Sequence, residues 1–422
     1  MSNLRSLGLA LVLGAFVQAA SAKPPVNFSD LPVSAQARIS EAVARDSGLA
    51  QKWVRVRLSG SDTKPNNLFG FSVAASGDTV VVASRYFGCL QGGAYVFVKP
   101  ATGWQDMTQT AKLIGSDFGP CGGSGFDEVA IDGNTIVAGP GPSGQTAYVF
   151  VEPENGWRDM TETAQLTANP NLYGLTSLAI SGETVAVGYP IALGNEIGAA
   201  AVFVEPPGGW QDTTQTAILT ASDGASGDQL GWSIAIDGET VIAGAPNAEV
   251  NGLTWAGALY AFNQPPAGWA NMTQTTKLIG NPMTGGYLGA CLSMSHGIAV
   301  ACASTAPDIF VYPGAQVSVA NLPFGVLEIP PNAGAYSASI SGNTVVIGTG
   351  GEYPTYYGAM FAWDRPSGGW QKVSSPDFQF WGKPAGGPQL IGYSVAVSGS
   401  ALIAGAPGHK NNTGVVYLFM PK

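Results

Sequence analysis

The chain has 422 residues, of which 58 are Gly and 29 are Pro, a density of helix-breaking residues that excludes a long-helix or coiled-coil protein. Only 11% of residues are charged while 45% are hydrophobic and 10% aromatic, so a large core can form and intrinsic disorder is excluded. The formal net charge of −10 argues against a nucleic-acid partner, because binding phosphate needs a basic field.

A short basic start (Met1 to Arg5), an apolar run from Leu7 to Ala20 and an Ala20-Ser21-Ala22 site predict a secretory signal peptide over residues 1–22. No later segment approaches the roughly 20 apolar residues of a membrane span, so none is expected after signal cleavage. Residues 23–50 form a separate N-terminal segment. Ala35, Ile39, Ala42 and Val43 mark one face of a short amphipathic helix over Ser34 to Ala44, with Asp30 or Ser34 as its cap. That helix is expected to pack on the rim of the domain that follows.

From residue 51 onward a unit recurs: an apolar strand, a tight Gly turn and a second apolar strand. Ser72 to Val82, Val129 to Val137 and Leu178 to Val187 are its first copies, and it returns at Ile234, Leu292, Ala338 and Val395. The seven turn glycines, Gly77, Gly133, Gly182, Gly238, Gly297, Gly342 and Gly399, stand 45 to 59 residues apart. In Ser-Gly-Asp-Thr and its variants Gly is the first of two central residues, where a type II′ hairpin turn requires positive φ. A Gly/Pro-rich loop and a third apolar run follow, as in Ala94 to Val98 or Ala147 to Val151. Gly-Trp and a polar stretch then lead into a fourth strand, as in Gly103 to Leu113. Four short strands per unit is the blade pattern of a β-propeller.

The seventh unit stops at Lys422, just after its third strand. Gln51 to Asp62 matches the Gly-Trp stretch that precedes Asp117 and lies ahead of the first hairpin. Residues 52–59 are therefore expected to pair with Val415 to Met420 as the outer strand of the last blade, which removes exposed strand edges. The fold expected for residues 51–422 is all-β: a seven-bladed β-propeller of four-stranded blades, closed by an N-terminal strand and preceded by the short helix.

Leu68-Phe69-Gly70, Ala243-Gly244-Ala245-Pro246 and Ala404-Gly405-Ala406-Pro407 resemble the two halves of the FG-GAP repeat, found in the integrin α-subunit propeller and in many secreted bacterial proteins. Integrin-like members imply calcium held in an Asp-rich loop between the first two strands. Here that loop is a two-residue turn such as Gly77-Asp78 or Gly238-Glu239, far short of the six to eight oxygens calcium takes. No metal and no cofactor are expected, and Asp78, Asp132, Asp237 and Glu239 read as turn residues.

Catalytic motifs are scarce. His296 in a hairpin turn and His409 in a loop both lack the carboxylate and nucleophile neighbours of a catalytic triad. The four cysteines are expected to pair as Cys89–Cys121, whose loops emerge on one face, and Cys291–Cys302, which face each other across the His296-Gly297 turn. An oxidising compartment suits both bridges.

Trp53, Trp104, Trp157, Trp210, Trp269 and Trp370 recur in phase and are expected to be packing anchors. Tyr86, Phe87, Trp255, Tyr353, Tyr356 and Tyr357 break that phase. They lie in loops after the second strand, on the face that also carries the blade connections, and are the candidate ligand-binding residues. The functional expectation is a secreted or periplasmic, monomeric, non-catalytic binding or adhesion module for an extracellular protein or glycan. Its rival is a carbohydrate-active hydrolase or lyase using acidic residues at the central channel.

Overall fold

A computed structural model describes residues 53–85, 92–119, 125–303, 308–313, 325–329, 334–350, 357–367, 369–370, 372–373, 375–382 and 389–422. The expected signal peptide and N-terminal helix lie outside these residues. Residues 51–422 form one compact unit.

Among the described residues the strands form seven sheets. The described residues are all-β, with helix among them limited to single turns such as Gly141–Ser143 and His409–Asn412. Three features define the architecture, and the second and third correct the expected one. First, six sheets, not all seven, draw their long strands from one continuous stretch of chain. The last joins Val395–Ser398, Ala401–Ala406 and Val415–Pro421 to Trp53–Ser59 from the other end. Trp53–Ser59 runs antiparallel to Val415–Pro421, with Arg57 opposite Tyr417.

Second, the blades are not uniformly four-stranded. Five sheets carry a fifth, two-residue strand that belongs to the following blade. Met107–Thr108, for example, pairs in parallel with Leu58 and Ser59. The Gly-Trp stretch does not start a fourth strand; it crosses to the outer edge of the preceding blade and then returns. Its polar residues are the fasteners. Asp106, Asp159, Asp212 and Asn271 accept from the N–H of Arg57, Lys112, Gln165 and Ile218 at 2.7–2.8 Å. Gln109, Glu162, Gln215 and Gln274 accept from Ser61, Ser116, Asn169 and Ser222 at 2.8–2.9 Å. Trp157, Trp210, Trp269 and Trp370 are buried beneath these straps.

Third, Trp53 is not one of the phased tryptophans. Leu58 pairs with Val416 as Leu113 pairs with Ala94. That register puts Trp53 at the place of Thr108 rather than Trp104. Its ring packs at 4.8 Å on Phe378 in the outer strand of the neighbouring blade.

The seams between blades are closed by backbone contact. Gly188, Gly244, Gly348 and Gly405 end second strands, and each lies against the backbone of the next inner strand at Gly231, Gly289, Gly392 and Gly70 respectively. A Cβ on Gly405 would collide with the Gly70 carbonyl oxygen, and Gly70 itself sits at φ +90°, closed to most side chains. A serine seals each of these seams. Ser177, Ser233, Ser337 and Ser394 donate to the carbonyls of Gly231, Gly289, Gly392 and Gly70 at 2.7–2.9 Å. At the other end of the inner strands, residues before the turn glycines link blades in the same way. Ser76, Asp132, Ser181 and Asp237 accept from the N–H of Gly133, Gly182, Gly238 and Gly297 at 2.6–3.1 Å. Asp132 and Asp237 therefore join neighbouring blades rather than only shaping their own turns.

Six of the seven turn glycines lie at φ +53° to +56°. In the eroded fifth unit both central residues, His296 at +51° and Gly297 at +70°, take positive φ, the form of a type I′ turn. Overpacking a closed core costs about 1–3 kcal/mol, whereas a lost neutral hydrogen bond costs about 1 kcal/mol. Gly405→Ala is therefore expected to lower unfolding free energy by about 1–3 kcal/mol. Ser394→Ala should lower it by only about 1 kcal/mol. Denaturant titration of the two variants checks this ordering.

Candidate functional site

Two features stand on the face that carries the second-to-third-strand loops and the blade connections. The outer one is Trp255, in the loop between Thr240–Ala245 and Ala258–Asn263. Its side chain is 55% exposed and its backbone sits at φ +55°, a conformation costly for a bulky residue. The neighbouring blade connection holds it there. Gly285, Tyr287 and Leu288 donate to the carbonyls of Thr254, Trp255 and Ala256 at 2.9–3.1 Å. The Tyr287 ring lies nearly parallel to the indole, at 11° and 6.3 Å between centroids. Met283, also exposed, lines a small cleft beside them with Ala256, Asn281 and Pro282.

The inner feature surrounds the channel mouth. Its residues stand just ahead of the seam-sealing positions of consecutive blades. Tyr336, Tyr393 and Phe71, on three consecutive blades, have ring centroids 4.8 Å apart at each step. The Arg85 guanidinium continues the arc, 5.0 Å over the Phe71 ring and 3.4 Å from the Asp127 carboxylate on the next blade. Asp127 is 6% exposed, tucked against Gly141, where any Cβ would strike its carboxylate. Beside it, Glu128 occupies the position from which serine seals four other seams, and the next residue, Val129, donates its N–H to Ser72 Oγ at 3.2 Å.

Burial dominates the electrostatics of this pair. It pushes the Asp127 carboxyl up to about 7, with Arg85 only partly offsetting the shift. Glu128 rises to about 8, first through burial and then through the charge of Asp127; Ser72 and Arg85 oppose the rise. The folded protein therefore holds protons that the unfolded chain releases.

Of the candidates read from the sequence, Trp255 stands exposed. Tyr357 is partly buried, and its carbonyl accepts from the Ile391 N–H at 3.0 Å, a loop-packing role. Tyr86, Phe87, Tyr353 and Tyr356 lie outside the described residues, as do Cys89 and Cys121. Cys291 and Cys302 form a disulfide, with Cα atoms 5.4 Å apart. Among the described residues no group of three or more His, Cys, Asp or Glu side chains is placed to hold a metal, and no helix is long and apolar enough to cross a membrane. Sequence reasoning missed the channel-mouth arc, because Phe71, Tyr336 and Tyr393 sit inside the repeat and read as ordinary strand residues. Aligning the units on Ser72, Glu128, Ser177, Ser233, Cys291, Ser337 and Ser394 exposes both the arc and the one acidic departure.

Ring closure and seam glycines define a β-propeller. The chain carries FG-GAP repeats: the FG-GAP repeat family model matches residues 53–97 and 213–262. The crystal structure of the computationally designed Ika8 protein is similar in fold, with a TM-score of 0.50 at 14% identity over 87% of this chain and all of that one. No curated protein sequence matches.

The sign of the pH effect follows from the two raised carboxyls. Where the native state binds more protons than the unfolded chain, stability falls as pH rises. For Glu128 that window runs from its ordinary 4.5 to about 8. Glu128→Gln is expected to melt within error of wild type at pH 4 and about 2 °C or more above it at pH 9. Calorimetric melting curves across that range check it.

Proposed function

We propose that this chain is a non-catalytic binding module of an oxidising, extracytoplasmic compartment, and that it recognises a protein or glycan through the loop-bearing face of its propeller. The observation that carries this reading is Trp255: a large aromatic side chain displayed to solvent on a strained backbone that a neighbouring loop holds in place. Strain of this kind is retained where surrounding structure enforces it and concentrates at functional positions. Rigid, exposed aromatic rings supply contact area at little entropic cost. The Cys291–Cys302 disulfide and the leader-like residues 1–22 support the compartment.

A second reading, a carbohydrate-active hydrolase or lyase, is favoured by Asp127 and Glu128 at the channel mouth. Glycoside cleavage needs two carboxyls facing each other across the sugar. Asp127 and Glu128 are adjacent in the chain, at the start of the strand Glu128–Asp132, rather than on facing elements, and Arg85 already engages Asp127. That arrangement favours binding.

A glycan array and an extracellular-protein array, run beside a polysaccharide degradation panel, separate the two. Wild type is expected to bind a ligand on one of the arrays, Trp255→Ala to bind it about tenfold more weakly with an unchanged melting temperature, and neither to release reducing ends. Release of reducing ends that Asp127→Asn abolishes would replace this reading with the enzymatic one.

A further inference from the structure

We infer that the channel mouth is a separate saccharide site, and that it takes one ring of a neutral glycan. The inference rests on the binding-module reading and adds a ligand class at a second place on the same face.

Three kinds of chemistry meet there in blade order. The Tyr336 side chain is 53% exposed and offers a flat apolar surface. Tyr336 and Tyr393 pack with ring centroids 4.8 Å apart and planes tilted by 42°. Phe71 and the Arg85 guanidinium stacked on it extend the shelf, and the Arg85–Asp127 pair ends it with planar, hydrogen-bonding edges. Both Glu128 and Arg85 act electrostatically on Tyr336 and Tyr393, so the polar and aromatic parts share one space. A pyranose carries the complementary surfaces, an apolar C–H face for an aromatic ring and an edge of hydroxyls for planar polar groups.

Charge selects against the other ligand classes. An anion would find the Arg85 guanidinium already engaged by Asp127 at 3.4 Å, on a chain of net charge −10. A cation would have to displace Arg85, which already occupies the face of Phe71 and the carboxylate of Asp127. A wholly apolar group would leave the hydroxyls of the tyrosines and the Arg85–Asp127 edge without gain. An uncharged polyol uses every part of the shelf.

The test is calorimetric titration of the full chain with cellohexaose, xylohexaose, laminarihexaose and mannohexaose, with polygalacturonate and heparin as acidic probes. Saturable binding of at least one neutral hexaose is expected, weakened about tenfold by Tyr336→Ala, which is about 1.4 kcal/mol. Tyr336→Phe, which keeps the stacking face, should bind within about threefold of wild type, and all variants should melt like wild type. Trp255→Ala should leave this binding unchanged. No saturable binding of any neutral hexaose, preference for an acidic probe, or indifference to Tyr336→Ala would overturn the inference. Binding of a hexaose that is lost only in Trp255→Ala would overturn it while sustaining the loop-platform reading.

Discussion

Backbone meeting backbone at the blade seams is the constraint on which the rest of the molecule depends. Where Gly405 lies against Gly70, and Gly244 against Gly289, two sheets approach more closely than any side chain permits. That approach fixes the angle between neighbouring sheets and brings the inner strands together around a channel. The seam serines add direction, because a hydroxyl that donates to the next blade's glycine carbonyl holds only one register. At the opposite, outer edge the two-residue straps do the same work with Asp, Asn, Gln and Glu side chains. Blades are thus held to their neighbours at the turn end, at the loop end and along the rim, though not by all three at every seam.

The seams are not equal, and the departures coincide with chemistry. Glu128 stands where serine seals four other seams. Cys291 stands at the same position on another blade and is instead tied to Cys302 within its own sheet. The seam beside Trp53 exchanges strap hydrogen bonds for aromatic packing: Trp53 on Phe378, Phe380 on Phe419 at 4.6 Å, and Arg55 above Tyr417 at 5.5 Å. A closed ring tolerates such substitutions because closure elsewhere keeps the sheets in place. The acidic exception then becomes a feature of the channel mouth rather than a flaw in the wall.

Much of the fold was legible in the sequence because turn glycines and apolar strands carry strong local signals. Gly77 to Gly399 mark every hairpin, and the Cys291–Cys302 pairing follows from counting outward from His296-Gly297. The straps were not legible. A two-residue parallel strand such as Met107–Thr108 has no periodicity, and its partner lies some 49 residues away in sequence, the separation of Arg57 from Asp106. The same difficulty misplaced Trp53, which resembles the phased tryptophans by composition but not by register. Of the candidate binding residues, Trp255 was visible because it breaks the repeat. Tyr336, Tyr393 and Phe71 were hidden because they keep it.

Native-state hydrogen exchange tests the central claim most directly, since it reads closure residue by residue. If the ring opens only as a whole, the amides of Trp53–Ser59 exchange as slowly as those of Val415–Pro421 and of Gly231 and Gly392 at the seams, all through global unfolding. Fast exchange of Trp53–Ser59 while the seam glycines remain protected would contradict it, showing that the N-terminal strand is an attachment rather than the closing element.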